Sequence, residues 1–337
     1  MEDKVTIAES IDAAYFATQN HRRNGRIIEP NSILSQLDSQ TESVSRLSRS
    51  DLIKLLHVCS LSVNRKKADA GDPGTLKVLE VRRILVGRIL DRLSGRCDHL
   101  PTSEVGSIMS ALSRMYDSTM DEFMFSLCDI LASRCNMVLR ATDPHSPSVW
   151  LARSELQRAI PFCLFALSQN RLDVPKTVLD MSVEIFSLPY IKEVPYMHLS
   201  IYLWVVSPLS GDSFQAILEY AVARLGDSSD DMTVLDMVRT GYGIVKQDSL
   251  ATSRINTLIQ DKIVCKNLPY EWDMHGLIEL VRFLRNCNEP VSYECSQKIS
   301  NVVGRLRKIL PKEYLAEIVA GLHQFNTRDR APGCFKS

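Results

Sequence analysis

Apolar residues recur along the chain at i, i+3, i+4 and i+7, the spacing that lines one face of an α-helix. Leu52, Leu55, Leu56 and Cys59 carry the pattern first, then Val105, Ile108, Met109 and Leu112, then Leu156, Ala159, Ile160 and Cys163. It returns at Leu199, Tyr202, Leu203, Val206 and at Val234, Met237, Val238, Gly241. Met274, Leu277, Ile278, Val281 and Leu315, Ile318, Val319, Leu322 complete the series. Successive starts differ by 53, 51, 43, 35, 40 and 41 residues, the period of two-helix solenoid repeats. No run alternates with the period of two that strands require.

Each stripe is followed by a second apolar-periodic stretch: 81–93, 121–139, 176–188, 213–225, 251–264 and 291–310. The unit is therefore helix, short turn, helix, loop. One such pair cannot bury its apolar face alone, but stacked pairs share a continuous core. Leu100-Pro101, Leu268-Pro269 and Leu310-Pro311 precede three first helices, with Glu104, Glu271 and Glu313 close behind. Proline suits the first helical position, and acidic side chains there complement the helix dipole. Ser48 and Asp51 form a capping-box pattern ahead of the first stripe. Two longer loops, 64–75 and 141–149, account for the wider spacings. The expected fold is all-α, a right-handed α-solenoid of about seven helix-turn-helix repeats. An N-terminal extension (1–45) carries one short helix near residues 7–18. The repeat array covers 46–325, and a tail covers 326–337.

Four helix starts have a common form: LSRSDLIKLLHVCSLS (47–62), LPTSEVGSIMSALSRM (100–115), LPYEWDMHGLIELVRFL (268–284) and LPKEYLAEIVAGLHQF (310–325). This form resembles the L-x-x-x-[DE]-L-x-x-[IL]-[LVM]-x-[AG]-L start of organellar helical repeats. Those are the heptatricopeptide and octotricopeptide-like arrays and the repeats of FAST-kinase-like mitochondrial proteins. The resemblance spans about residues 46–325. It implies RNA stability, processing, translation or ribosome structure in mitochondria or plastids. Many members end in a RAP domain; none is recognisable here, which removes the case for a nuclease-like module.

Charge and chemistry refine this picture. The 337 residues hold 40 Lys+Arg and 40 Asp+Glu, so the chain is no polycation. The balance is uneven, however. Residues 61–100 hold nine basic against five acidic side chains, 281–312 hold seven against two, and 173–236 hold three against ten. In the first basic block, Arg88, Arg92 and Arg96 repeat at i, i+4 and i+8, near Arg82 and with Arg65, Lys66 and Lys67 in the loop before them. In the last, Arg305, Arg307 and Lys308 follow Arg282 and Arg285. Such stripes neutralise phosphates and make affinity salt-dependent. The competing reading of each is an ordinary solvated helix face.

The expected partners are therefore RNA (rRNA or mRNA) at the basic ends and protein at the acidic middle, 173–236, within a larger complex. The alternative is a HEAT/armadillo-like scaffold for protein partners alone. Base-by-base readout is not expected, because aromatics do not recur at one repeat position. No P-loop, HExxH or GxSxG motif occurs, and Gly241-Tyr242-Gly243 lacks the third glycine of a dinucleotide loop. It fits close helix packing better. No enzyme, cofactor or metal is expected. The nine cysteines include no CxxC pair and suit buried free thiols. The longest apolar stretch is shorter than the roughly 20 residues a membrane span needs, so no membrane partner is expected. The resemblance implies a mitochondrial location. The acid-rich start, Glu2, Asp3, Glu9 and Asp12, is unlike a transit peptide and leaves the cytoplasm as the alternative.

Overall fold

The computed structural model describes residues 9–16, 44, 46–61, 73–115, 118–187, 190–206, 212–226, 233–245, 249–265, 274–287, 290–308, 310 and 312–328. Among these the chain is all-helical, with 14 helices and no strand. A compact unit spans Met1–Phe186 and a second spans Ser187–Ser337. The first holds α1 (residues 9–16), α2 (Arg49–Leu61), α3 (Pro73–Ser94), α4 (Thr102–Leu112), α5 (Asp121–Leu139), α6 (Pro147–Gln169) and α7 (Lys176–Ile185). The second holds α8 (Tyr196–Val206), α9 (Asp212–Gly226), α10 (Val234–Val245), α11 (Ser249–Cys265), α12 (Met274–Asn286), α13 (Tyr293–Leu306) and α14 (Lys312–Arg328).

Each unit has two layers. In the first unit α2, α4 and α6 pack side by side in chain order, and α5 packs on α7. In the second, α8, α10, α12 and α14 form one row and α9, α11 and α13 the other. The seven apolar stripes are the seven members of the first rows. Their burial explains the packing: Val105, Ile108, Met109 and Leu112 of α4 are all fully buried, as are Leu199, Tyr202, Leu203 and Val206 of α8. Each large side chain so buried contributes about 1.5–3 kcal/mol. The last stripe is rotated from its expected setting. Val319 is exposed, and Ile318, Leu322 and Phe325 carry the burial, because no described helix follows α14 to cover its far side.

Small residues set the approach between first-row helices. A Cβ on Gly106 of α4 would lie 2.9 Å from the Ala159 Cα of α6. On α10, one at Gly241 would lie 2.7 Å from the Phe283 ring of α12, and one at Gly243 would lie 2.8 Å from the Leu203 carbonyl of α8. The Gly-Tyr-Gly segment thus lets α10 fit between two neighbours. Tyr242, between the glycines, stacks edge-on against Phe283.

Several helix starts are fixed locally. Ser48 Oγ accepts from the Asp51 N–H at 3.2 Å, and Ser292 Oγ does the same for Cys295. At α10 the box is reciprocal: Asp236 N–H donates to Thr233 Oγ1, and Thr233 N–H donates to Asp236 Oδ2, each at 3.2 Å. The buried Asp236 also accepts from Ser200 Oγ of α8 at 3.0 Å, tying the cap to the neighbouring helix.

Some boundaries differ from expectation. Helix α3 starts at Pro73, not near residue 81, because Asp72-Pro73-Gly74 reads as a turn while proline fits a first helical position equally well. The same reason moves the start of α6 to Pro147, inside the expected 141–149 loop, with Ser146 as its cap. Pro101 stands one place earlier than expected, at the N-cap of α4. Helix α14 continues to Arg328, three residues into the expected tail. The short helix α1 packs on α2: Ile11 and Ala14 are buried, Asp12 pairs with Lys54 at 2.6 Å, and Tyr15 stands edge-on to His57.

Candidate nucleic-acid interface

Whether a cation can meet phosphate depends on what already holds it. Arg65, Lys66 and Lys67 lie outside the described residues, so the loop half of the first basic block has no described geometry. Arg82 is half-buried on α3, and its charge partly offsets the upward push of burial on the Cys59 thiol. Arg88 is exposed on the same helix. Arg92 is engaged, with Nη1 donating to the Val44 carbonyl at 2.6 Å and the Leu47 carbonyl at 3.1 Å. Arg96 is exposed but lies beyond the helix. The expected i, i+4, i+8 stripe therefore stops at Arg92, because α3 ends at Ser94 and Gly95 follows.

The last block divides more sharply. Arg282 of α12 grips Glu317 of α14 with both Nε (2.7 Å) and Nη2 (3.0 Å), and its Nη1 donates to Glu279 at 2.7 Å. A planar guanidinium suits this two-pronged grip. The pair holds the Glu317 carboxyl below its ordinary range and raises Arg282. Arg285 Nε donates to Gln324 Oε1 at 3.1 Å. Both arginines thus join α12 to α14. Arg305, Arg307 and Lys308 are exposed at the end of α13, with no hydrogen bond or ion pair among the described residues.

Arg92 belongs to a set that the sequence analysis missed. On α5, Arg134 donates through Nη2 to the Leu100 carbonyl and through Nη1 to Thr102 Oγ1 at 3.0 Å. On α9, Arg224 Nη1 donates to the Val194 carbonyl at 2.6 Å. In all three pairs an arginine late in the second helix reaches back to the linker before the first. The accepting residues Leu47, Leu100 and Val194 each stand two places before their helix and are buried. A buried carbonyl needs a partner where water cannot reach, and the long arginine stem supplies one. A sequence signal exists: each arginine precedes a buried apolar residue, as Arg92-Leu93, Arg134-Cys135 and Arg224-Leu225. Arg305-Leu306 has the same form without such a bond. The pair α6/α7 inverts the arrangement, with buried Arg153 and Gln157 of the first helix donating to carbonyls at the end of α7.

The acidic middle spans both compact units. Asp173, Asp180 and Glu184 are exposed in the first, Glu193 and Glu219 in the second. Asp236 is buried in its cap, and Asp227, Asp230 and Asp231 lie outside the described residues. Of the tryptophans, Trp150 is half-buried, Trp204 is half-buried with the Arg239 guanidinium 6.0 Å from its ring, and Trp272 is not described.

No group of three His, Cys, Asp or Glu residues is arranged to hold a metal among the described residues. No described helix is long and apolar enough to cross a membrane. Burial pushes the Cys59, Cys135 and Cys295 thiols up to about 12. Cys128 and Cys163 sit buried with their Sγ atoms 3.1 Å apart. At pH 8 a thiol near pKa 12 is thiolate in about one molecule in 10,000, and only the thiolate reacts. A brief iodoacetamide pulse on folded protein should therefore modify Cys97 first among the described cysteines and spare Cys59, Cys135 and Cys295. Mass mapping checks this against the same pulse in denaturant, and rapid native modification of Cys59 would contradict the packing around it. No family model and no curated protein matches this chain.

Proposed function

We propose that this chain is a non-enzymatic helical-repeat protein binding RNA and protein in a mitochondrial ribonucleoprotein assembly, in RNA processing or stability or in ribosome structure. In this reading its seven helix pairs form a right-handed α-solenoid. The two-layer packing within each unit and the arginine-to-linker bond recurring in three pairs support tandem repetition. The observation that carries RNA binding is a set of exposed basic side chains, Arg88, Arg96, Arg305, Arg307 and Lys308, without a hydrogen bond or ion pair among the described residues. The exposed carboxylates of the middle region would repel phosphate and suit a protein partner instead.

The test is binding of the full chain to a labelled oligouridylate across a salt series. Affinity should fall steeply between about 50 and 200 mM salt, as counterion release demands when several phosphates are neutralised. A second reading, a HEAT/armadillo-like scaffold free of nucleic acid, is favoured by Arg92, Arg282 and Arg285 being engaged within the protein. Absence of binding at the lowest salt would select it.

A further inference from the structure

We infer that the turn joining α13 to α14 is the principal RNA contact, with Arg307, Lys308 and Lys312 as its phosphate ligands and Arg305 beside them. This deepens the RNA-binding reading and rests on it. Arg305, Arg307, Lys308 and Lys312 fall within eight consecutive residues. All four are exposed, and none has a hydrogen bond or ion pair among the described residues.

The other exposed cations are locally balanced in sequence. On α3, Arg88 has Asp91 one turn away, and Arg96 is followed closely by Asp98. All three of these helix and turn carboxyl-bearing segments are themselves exposed at Asp91 and Asp98. The first-row helices of the second unit offer little either. There Arg282 is held by two carboxylates, Arg285 by Gln324, and Arg239 lies over Trp204 and 3.9 Å from Asp236. The α13–α14 turn is thus where this unit concentrates uncompensated positive charge. Lys312 adds to it at the first residue of the 17-residue helix α14, where unpaired N–H groups and the helix dipole also favour an anion. Placement at the end of a helix pair predicts that RNA meets the edge of the unit, not the row formed by α8, α10, α12 and α14.

The geometry also fixes the variant. Arg305 stands where other pairs carry the arginine-to-linker bond, so it is left intact, and Arg307, Lys308 and Lys312 are changed together to glutamine. Each phosphate contact to a single strand contributes about 0.7 to the slope of log affinity against log salt. The triple variant of the full chain should therefore bind the labelled oligouridylate with a slope shallower by about 2. Arg88→Gln with Arg96→Gln should leave the slope nearly unchanged. Arg282→Gln should lower the melting temperature without altering the slope. An unchanged slope in a folded triple variant would overturn this assignment while leaving RNA binding intact. Failure of the parent chain to bind would instead sink the RNA reading itself. Equal displacement of the oligonucleotide by polyglutamate of matched length would assign the turn to acidic peptide and overturn the proposal as well.

Discussion

Replacing Gly106 or Gly243 by alanine is expected to destabilise the protein, whereas the same replacement at Gly87 or Gly304 is expected to stabilise it. All four glycines are helical, so alanine gains helix propensity at each, about 1 kcal/mol. Surroundings decide the sign. At Gly87 and Gly304 an added Cβ meets nothing within 4 Å. At Gly106 it meets the Ala159 Cα at 2.9 Å, and at Gly243 it meets the Leu203 carbonyl oxygen at 2.8 Å and carbon at 2.9 Å. Those atoms are backbone, so a whole helix must move, and overpacking of this kind costs about 1–3 kcal/mol. Thermal melting should place the open-site variants about 2–4 °C above the parent and the close-packed ones below it, on the usual scale for domains of this size. Each compact unit contains one glycine of each kind, so each carries its own comparison. Stabilisation by Gly243→Ala would show that α8 and α10 are not held at this distance in solution.

The first-row helices were legible because their apolar stripes repeat with the helical period and because burial at one face is what that period exists to satisfy. Leu55, Ile108, Leu203 and Ile278 needed only their own neighbours in sequence to be placed. The start of α3 was not legible, since Pro73-Gly74 serves a turn and a helix start equally. The site was legible as charge and not as geometry. Arg282, Arg305 and Arg307 look alike in sequence, yet Arg282 meets Glu317, 35 residues away, and the other two meet nothing described. Local patterning records which residues carry charge. It holds no record of which carboxylate or carbonyl the fold brings to them.

The arginines that reach back to the linkers give the second large effect. Arg134→Met should destabilise the first unit by about 3 kcal/mol, because it removes two charge-assisted bonds and strands the buried Leu100 carbonyl. Hydrogen bonds to charged groups are worth about 1.5–3 kcal/mol, and an orphaned buried acceptor adds its desolvation penalty. Arg224→Met should cost the second unit about 2 kcal/mol, since Arg224 makes one such bond to Val194 and also lies 5.4 Å from the Tyr196 ring centre. Arg92→Met should cost less, because its side chain is exposed and water can replace it at the Val44 and Leu47 carbonyls. Arg88→Met, on the same helix and without a partner, should stay within about 0.5 kcal/mol of the parent. Denaturant unfolding of each variant measures the series. Thr102→Val then separates the two Arg134 bonds, since it removes the hydroxyl acceptor and leaves the carbonyl. If the carbonyl bond dominates, Thr102→Val costs well under half of what Arg134→Met does. If Arg134→Met is as harmless as Arg88→Met, the linker carbonyls are satisfied by water, and the recurrence of arginine at this place needs another cause.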